Sequence, residues 1–166
     1  MEEKTKKALD KILDSYSSKQ DAVRKEVTRQ KTEREQFLER FKEKATTLIR
    51  PLFEKVGEHL KSRGHDFGIK EENERIEGDG KRHSNAGITL EIYPERKRPS
   101  FANHGCPHVA IMVDSHKNSL YVYESTMMPG SGGRSGSAGS YELDAITPEI
   151  IDKHIIGVLS QAMGAK

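Results

Sequence analysis

Between Glu2 and Arg63 the chain holds one glycine, Gly57, and one proline, Pro51, in a background of Lys, Glu, Arg, Gln, Leu and Ala. These residue types lose little on entering a helix, whereas Gly and Pro interrupt one, so the stretch reads as almost wholly helical. Alternating steps of four and three from Leu9 visit Leu13, Tyr16, Gln20, Val23, Val27, Gln30, Arg34, Phe37, Phe41, Lys44 and Leu48, and eight of these twelve positions are apolar. That spacing describes a coiled-coil-like seam with polar layers at Gln20, Gln30 and Arg34. A single helix has no second surface on which to bury such a seam. Leu9, Leu13, Tyr16, Val23, Val27, Phe37 and Phe41 are therefore read as an oligomer interface, most simply that of a homodimer. The alternative is a hairpin broken near "SYSSKQD", where Ser and Asp can cap a second helix.

Past Phe37 the apolar positions shift to Phe41, Ala45, Leu48, Leu52, Val56 and Leu60, the stripe of a helix packed on a globular body. Pro51 disfavours the helical conformation at Arg50, which predicts a kink or short break there. Lys61, Arg63 and Gly64 make a helix stop. The organisation expected is a helical oligomerisation arm over residues 1–48 and a small α+β domain over 49–166.

After Gly64 the apolar period changes from about 3.6 to 2, the mark of a sheet. "AGITLEIY", "HVAIMVD" and "SLYVYES" each alternate, and "DSHKN" has hairpin length between the last two. Weaker strands are expected near Phe67 to Ile69 and Glu72 to Ile76. Thr147 and Pro148 then open a helix whose stripe is Ile150, Ile151, His154, Ile155, Val158, Leu159 and Met163. The fold class is α+β: a long N-terminal helix kinked near Pro51, an antiparallel meander of about four or five strands, and a C-terminal helix packed on the sheet.

Composition limits the size of that body. Only 33% of the 166 residues are apolar and 33% are charged, a small supply for a core. No apolar run reaches the roughly 20 residues that span a bilayer, and one cysteine allows no disulfide framework, so a cytoplasmic protein with no membrane partner is expected. Residues 1–63 carry 17 Lys/Arg against 12 Asp/Glu, net +5, and residues 64–166 carry 11 against 14, net −3.

Three segments attract a chemical reading. The run "PGSGGRSGSAGS" lacks both the GxxxxGK[ST] spacing and a following helix, so it reads as slack between strands over residues 129–140. Gly130, Gly132, Gly133 and Arg134 are the candidates if it orders on a partner. "HGCPH" offers His104, Cys106 and His108 as metal ligands, or Cys106 as a nucleophile beside an imidazole, without the paired CxxC pattern or an oxyanion motif. Lys81, Arg82, Arg96, Lys97 and Arg98 form two basic clusters that would contact phosphates. The reading that follows is a non-catalytic interaction or assembly module with no cofactor, which oligomerises through its helix and presents the α+β domain to another protein. Nucleic-acid binding through the arm and basic loops is the second reading. An enzyme or metal protein at His104, Cys106 and His108 is the third.

Overall fold

The computed structural model describes residues 3–78, 80–100 and 105–164, with the backbone alone at Arg82 and His83. Helix α1 spans Glu3–Lys44, a π-turn Ala45–Ile49, and helix α2 Arg50–Ser62. Among the described residues seven strands follow: β1 Asp66–Glu72, β2 Arg75–Ile76, β3 Arg82–Ser84, β4 Gly87–Tyr93, β5 His108–Val113, β6 Leu120–Ser125 and β7 Ser135–Tyr141. Helix α3, Pro148–Met163, ends the chain's regular structure. Among the described residues no helix is long and apolar enough to cross a membrane.

The chain divides into two compact units, Met1–Glu39 and Arg40–Lys166. The first is helical throughout its described residues. Its basic side chains are partly neutralised along the helix: Arg29 bonds Glu26 and Glu33, both at 2.6 Å. The second unit holds a five-stranded antiparallel sheet, order β1-β4-β5-β6-β7, and a separate two-stranded ribbon of β2 and β3.

Where the sequence predicts a kink or break at Pro51, the helix changes register instead. Arg50 keeps helical angles (φ −57°, ψ −49°) and its amide donates to the carbonyl of Ala45, five residues back. The wider π-turn lies just ahead of Pro51, whose ring crowds the preceding turn and which has no amide hydrogen of its own. The hydroxyls of Thr46 and Thr47 donate to the carbonyls of Lys42 (3.0 Å) and Glu43 (2.8 Å). The stop at Gly64 is as expected: Gly64 has φ +90°, its amide donates to Lys61 O, and the His65 amide reaches back to Leu60 O, each at 3.1 Å. This is the paired-bond ending that a left-handed glycine permits.

Register fixes which side of the sheet is the core. Phe67 stands opposite Ile92, Leu90 opposite Val109, and Val109 opposite Glu124, so these residues share one face with Ile88, Ile111, Val113, Leu120 and Val122. Helix α2 lies on β1 and β4, and α3 on β5 and β6. Ile49 and Phe53 from the first helical layer and Ile151, Ile155 and Val158 from α3 are fully or almost fully buried on that face. Phe41, assigned to the oligomer seam by its spacing, is buried within the second unit as the first residue of the same stripe, and Phe37 is buried as well. Phe41 is therefore engaged within its own unit.

The Gly/Ser run is the other correction. Residues 135–141 are not slack but form strand β7, paired with β6 from Ser125↔Ser135 to Leu120↔Tyr141 with one register shift at Val122/Tyr123. Gly and Ser have low strand propensity and give no apolar alternation, so the ladder of backbone bonds, which any residue can make, is what holds them. The connection shortens to residues 126–134 and is itself closed. Thr126 and Met128 amides donate to Arg134 O (2.8 Å) and Gly132 O (2.9 Å). A Cβ at Gly133 would lie 2.5 Å from Thr126 O, so this glycine is required by close packing of two backbones.

Helix α2 approaches β1 closely because residue 57 is glycine: a Cβ there would sit 2.3 Å from the Phe67 ring. Alanine adds helix propensity of about 1 kcal/mol, but overpacking of a core contact costs about 1–3 kcal/mol. Gly57→Ala is expected to lower the urea midpoint, and Gly57→Ala combined with Phe67→Leu to recover part of the loss. An unchanged or raised midpoint for the single variant would show that the ring moves aside at no cost.

Candidate functional site

Two polar clusters are built into the α+β unit, one on each face of the sheet. On the helix-covered face Glu124, His154 and Tyr141 form a chain. His154 is buried in the apolar stripe of α3 and its Nδ1 lies 2.5 Å from Glu124 Oε1, while Tyr141 Oη lies 2.8 Å from its Nε2. With Nδ1–H donated to the carboxylate, Nε2 is the acceptor and the tyrosine hydroxyl donates to it. All three side chains come from different elements: β6, α3 and β7. A histidine within an otherwise apolar helical stripe was the sequence signal for such a cluster, because a buried imidazole needs partners.

Glu124 also lines a cleft of about 330 Å³, with Thr126, Arg134 and β7 residues Ser135, Gly136, Ser137 and Ala138. Gly136 stands opposite Glu124, and a Cβ there would meet nothing within 4 Å. Across the cleft rim the Arg134 guanidinium bonds the side-chain carbonyl of Gln161 on α3. Neither Tyr141 nor His154 lines the cleft, so the Glu–His–Tyr chain offers it a carboxylate and no activated hydroxyl. Its chemistry is that of orientation: it fixes Glu124 and ties β7 to α3.

On the opposite face Glu91 is the centre. Lys70 Nζ donates to its Oε1 (2.7 Å) and Tyr93 Oη to its Oε2 (2.6 Å). The tyrosine hydroxyl reaches this position because residue 68 is glycine; a Cβ there would lie 2.6 Å from it. Burial alone would raise the Glu91 carboxyl, but the Lys70 and Tyr93 hydrogen bonds outweigh it and hold the group below its ordinary value of 4.5. His108 stacks on Tyr123 with ring centroids 5.9 Å apart, and its Nδ1 lies 3.0 Å from Cys106 O.

The sequence-predicted candidates fall as follows. Cys106 is buried, and burial, reinforced by the Glu91 carboxylate, raises its thiol to about 11. A thiol held neutral in this way is a poor nucleophile at physiological pH. His108 is engaged on the sheet face, and His104 lies outside the described residues. Among the described residues no three His, Cys, Asp or Glu side chains cluster as metal ligands. In the basic segments Lys97 bonds Glu95 (2.6 Å) and Arg98 bonds Asp66 (3.1 Å) and covers the Tyr93 ring. Arg96 and Glu95 both have positive φ, of 62° and 50°. Lys81 lies in the β2–β3 turn, where its carbonyl accepts from the Glu77 amide (3.0 Å); the Arg82 side chain lies outside the described residues. Gly130, Gly132 and Gly133 shape the closed β6–β7 turn, and Arg134 alone of that group lines the cleft. On the arm, Leu9, Leu13, Tyr16, Val23 and Val27 are exposed, together with Ile12, which the seam spacing omitted.

Family models, curated proteins and solved structures give no match to this chain.

The Glu91 cluster has a pH signature. Its folded-state pKa is depressed, so its contribution to stability is present above the unfolded value and is lost as pH falls through the folded one. The stability difference between the unaltered chain and Glu91→Gln is therefore expected to be largest near neutrality and to shrink as pH is lowered past about 4. A difference independent of pH, measured by urea titration at several pH values, would assign the loss to packing alone.

Proposed function

We propose that the protein is an assembly module whose N-terminal helix self-associates and carries the α+β unit as its working body. One observation carries this reading: Leu9, Ile12, Leu13, Tyr16, Val23 and Val27 are 43 to 64% exposed on a helix that has no core of its own. Burying a large apolar side chain is worth about 1.5–3 kcal/mol, so this helix gains most of its stability only against another surface. The four-and-three spacing supports one choice of surface. It suits a second helix with the same 3.5-residue repeat, and a second copy of the arm supplies one.

Gln20 and Gln30 lie in the seam and, as polar layers do, restrict register at some loss of stability. The arm's mixed charge, with Arg29 held by Glu26 and Glu33, suits helix pairing better than attachment to a polyanion. The Lys97–Glu95 and Arg98–Asp66 pairs likewise neutralise part of the basic loops. Cys106, buried and raised, favours a body that binds over one that catalyses through a thiolate.

Placing two carboxylates in the seam is expected to weaken the arm's association by about 3 kcal/mol or more, on the order of 100-fold in Kd. The measurement is sedimentation equilibrium of the full chain and of Val23→Asp/Val27→Asp over a range of concentrations. Indistinguishable association of the two proteins would exclude the arm as the contact, and a monomeric unaltered chain would exclude self-association altogether.

A further inference from the structure

Glu124 and Arg134 are opposite charges on one face of the β6–β7 hairpin. Arg134 stands across from Thr126, whose amide donates to its carbonyl at 2.8 Å, and Glu124 lies two residues before Thr126 on the same face. Diagonal neighbours of this kind are about 7–8 Å apart between strands, within reach of a side chain as long as arginine. Yet among the described residues the two form no ion pair. The Arg134 guanidinium is drawn away to the side-chain carbonyl of Gln161, and Glu124 Oε1 is taken by His154 Nδ1 at 2.5 Å. Each charge is thus held by its own residue of α3. Both line the cleft of about 330 Å³, and Gly136, opposite Glu124, keeps it open because it has no side chain to fill the space.

Neither charge is neutralised where it stands. Gln161 is a neutral amide, so the other N–H donors of Arg134 have no acidic partner there. His154, neutral when Tyr141 donates to its Nε2, leaves the negative charge on the carboxylate, and Glu124 Oε2 accepts no hydrogen bond from a described residue. These features narrow what the cleft can hold. An anion alone meets the Glu124 carboxylate and a cation alone meets the Arg134 guanidinium, so either gains at one group and loses at the other. A divalent cation needs more oxygen ligands than one carboxylate supplies. An apolar molecule finds little surface, since Ala138 is the one apolar side chain among the lining residues. A molecule with one positive and one negative end gains at both groups, and the volume, at the lower end of the roughly 300–1,000 Å³ of small-molecule sites, suits a small one.

We propose that the cleft binds a small free amino acid, its ammonium group donating to Glu124 Oε2 and its carboxylate accepting from the Arg134 guanidinium. Both contacts are charge-assisted, and the planar guanidinium fork matches a carboxylate. The His154–Tyr141 chain then has a use: it fixes the Glu124 carboxylate before the ligand arrives, so binding does not have to order it. The site lies wholly within the α+β unit and does not rest on the arm.

The test is isothermal titration calorimetry of the full chain with glycine, L-serine and γ-aminobutyrate, which separate their charged ends by different lengths, and with methylammonium and acetate, which carry one charge each. At least one amino acid is expected to bind saturably with a Kd of about 1 mM or below, and both single-charge ions about tenfold or more weakly. Glu124→Gln keeps an acceptor for His154 while removing the charge. That variant and Arg134→Gln are each expected to raise the Kd about tenfold or more. Gly136→Val fills the cleft without altering either charge and should abolish binding, with circular dichroism confirming that the unit stays folded. The affinity should be unchanged in Val23→Asp/Val27→Asp, which alters the arm alone. Binding of none of the three amino acids overturns the proposal. So does binding that methylammonium or acetate matches, or binding indifferent to both Glu124→Gln and Arg134→Gln.

Discussion

Everything in the α+β unit depends on one apolar layer, the face of the sheet that α2 and α3 cover. Ile88, Leu90, Ile92, Val109, Ile111, Val113, Leu120 and Val122 are withdrawn from water on the sheet side, and Ile49, Phe53, Ile151, Ile155 and Val158 on the helix side. This layer takes most of the large side chains that are fully buried. The consequence is a division of labour across the sheet. One face is held by burial, and the other relies on specific polar pairs: Lys70–Glu91–Tyr93, Arg98–Asp66 and the His108–Tyr123 stack. Such pairs stabilise modestly, but each would be costly to break on one side only, since a half-buried carboxylate such as Glu91 is then left without its donors.

Much of this was legible in the sequence because the signals were local. The arm's helicity follows from missing Gly and Pro. Strands β4, β5 and β6 follow from alternation, and the start of α3 from Thr147 and Pro148, whose Ile150 amide the Thr147 hydroxyl accepts at 3.5 Å. The features that escaped are those whose cause lies elsewhere in the chain. Strand β7 exists because β6 offers it a ladder, not because Ser and Gly prefer strands. The seam spacing runs on into Phe41, which is buried within the second unit's own stripe, a competition that spacing alone does not resolve. The π-turn is a response to Pro51 within a helix held on both sides of it.

The candidate site was less legible for the same reason. Glu124 and His154 are 30 residues apart and Tyr141 and His154 are 13 apart, so no motif spacing announces them. In "HGCPH" the sequence places imidazoles beside a thiol without saying that the thiol is buried next to a carboxylate. Desolvation and the Glu91 charge both favour the neutral thiol, and only the fold brings them to Cys106.

Strand β7 is where these constraints meet. It has almost no apolar surface to bury, so its attachment rests on the ladder with β6 and on Tyr141, the one large side chain it contributes, which bonds His154 on α3. Gly136 and Gly139 face the helix-covered side opposite Glu124 and Val122; a Cβ at Gly139 would lie 3.0 Å from the Tyr141 ring, whereas Gly136 borders the open cleft. Small residues therefore let one end of the strand close on Tyr141 and leave the other open. A strand held this way keeps its outer edge uncluttered by side chains, at the expense of a weakly buried hairpin.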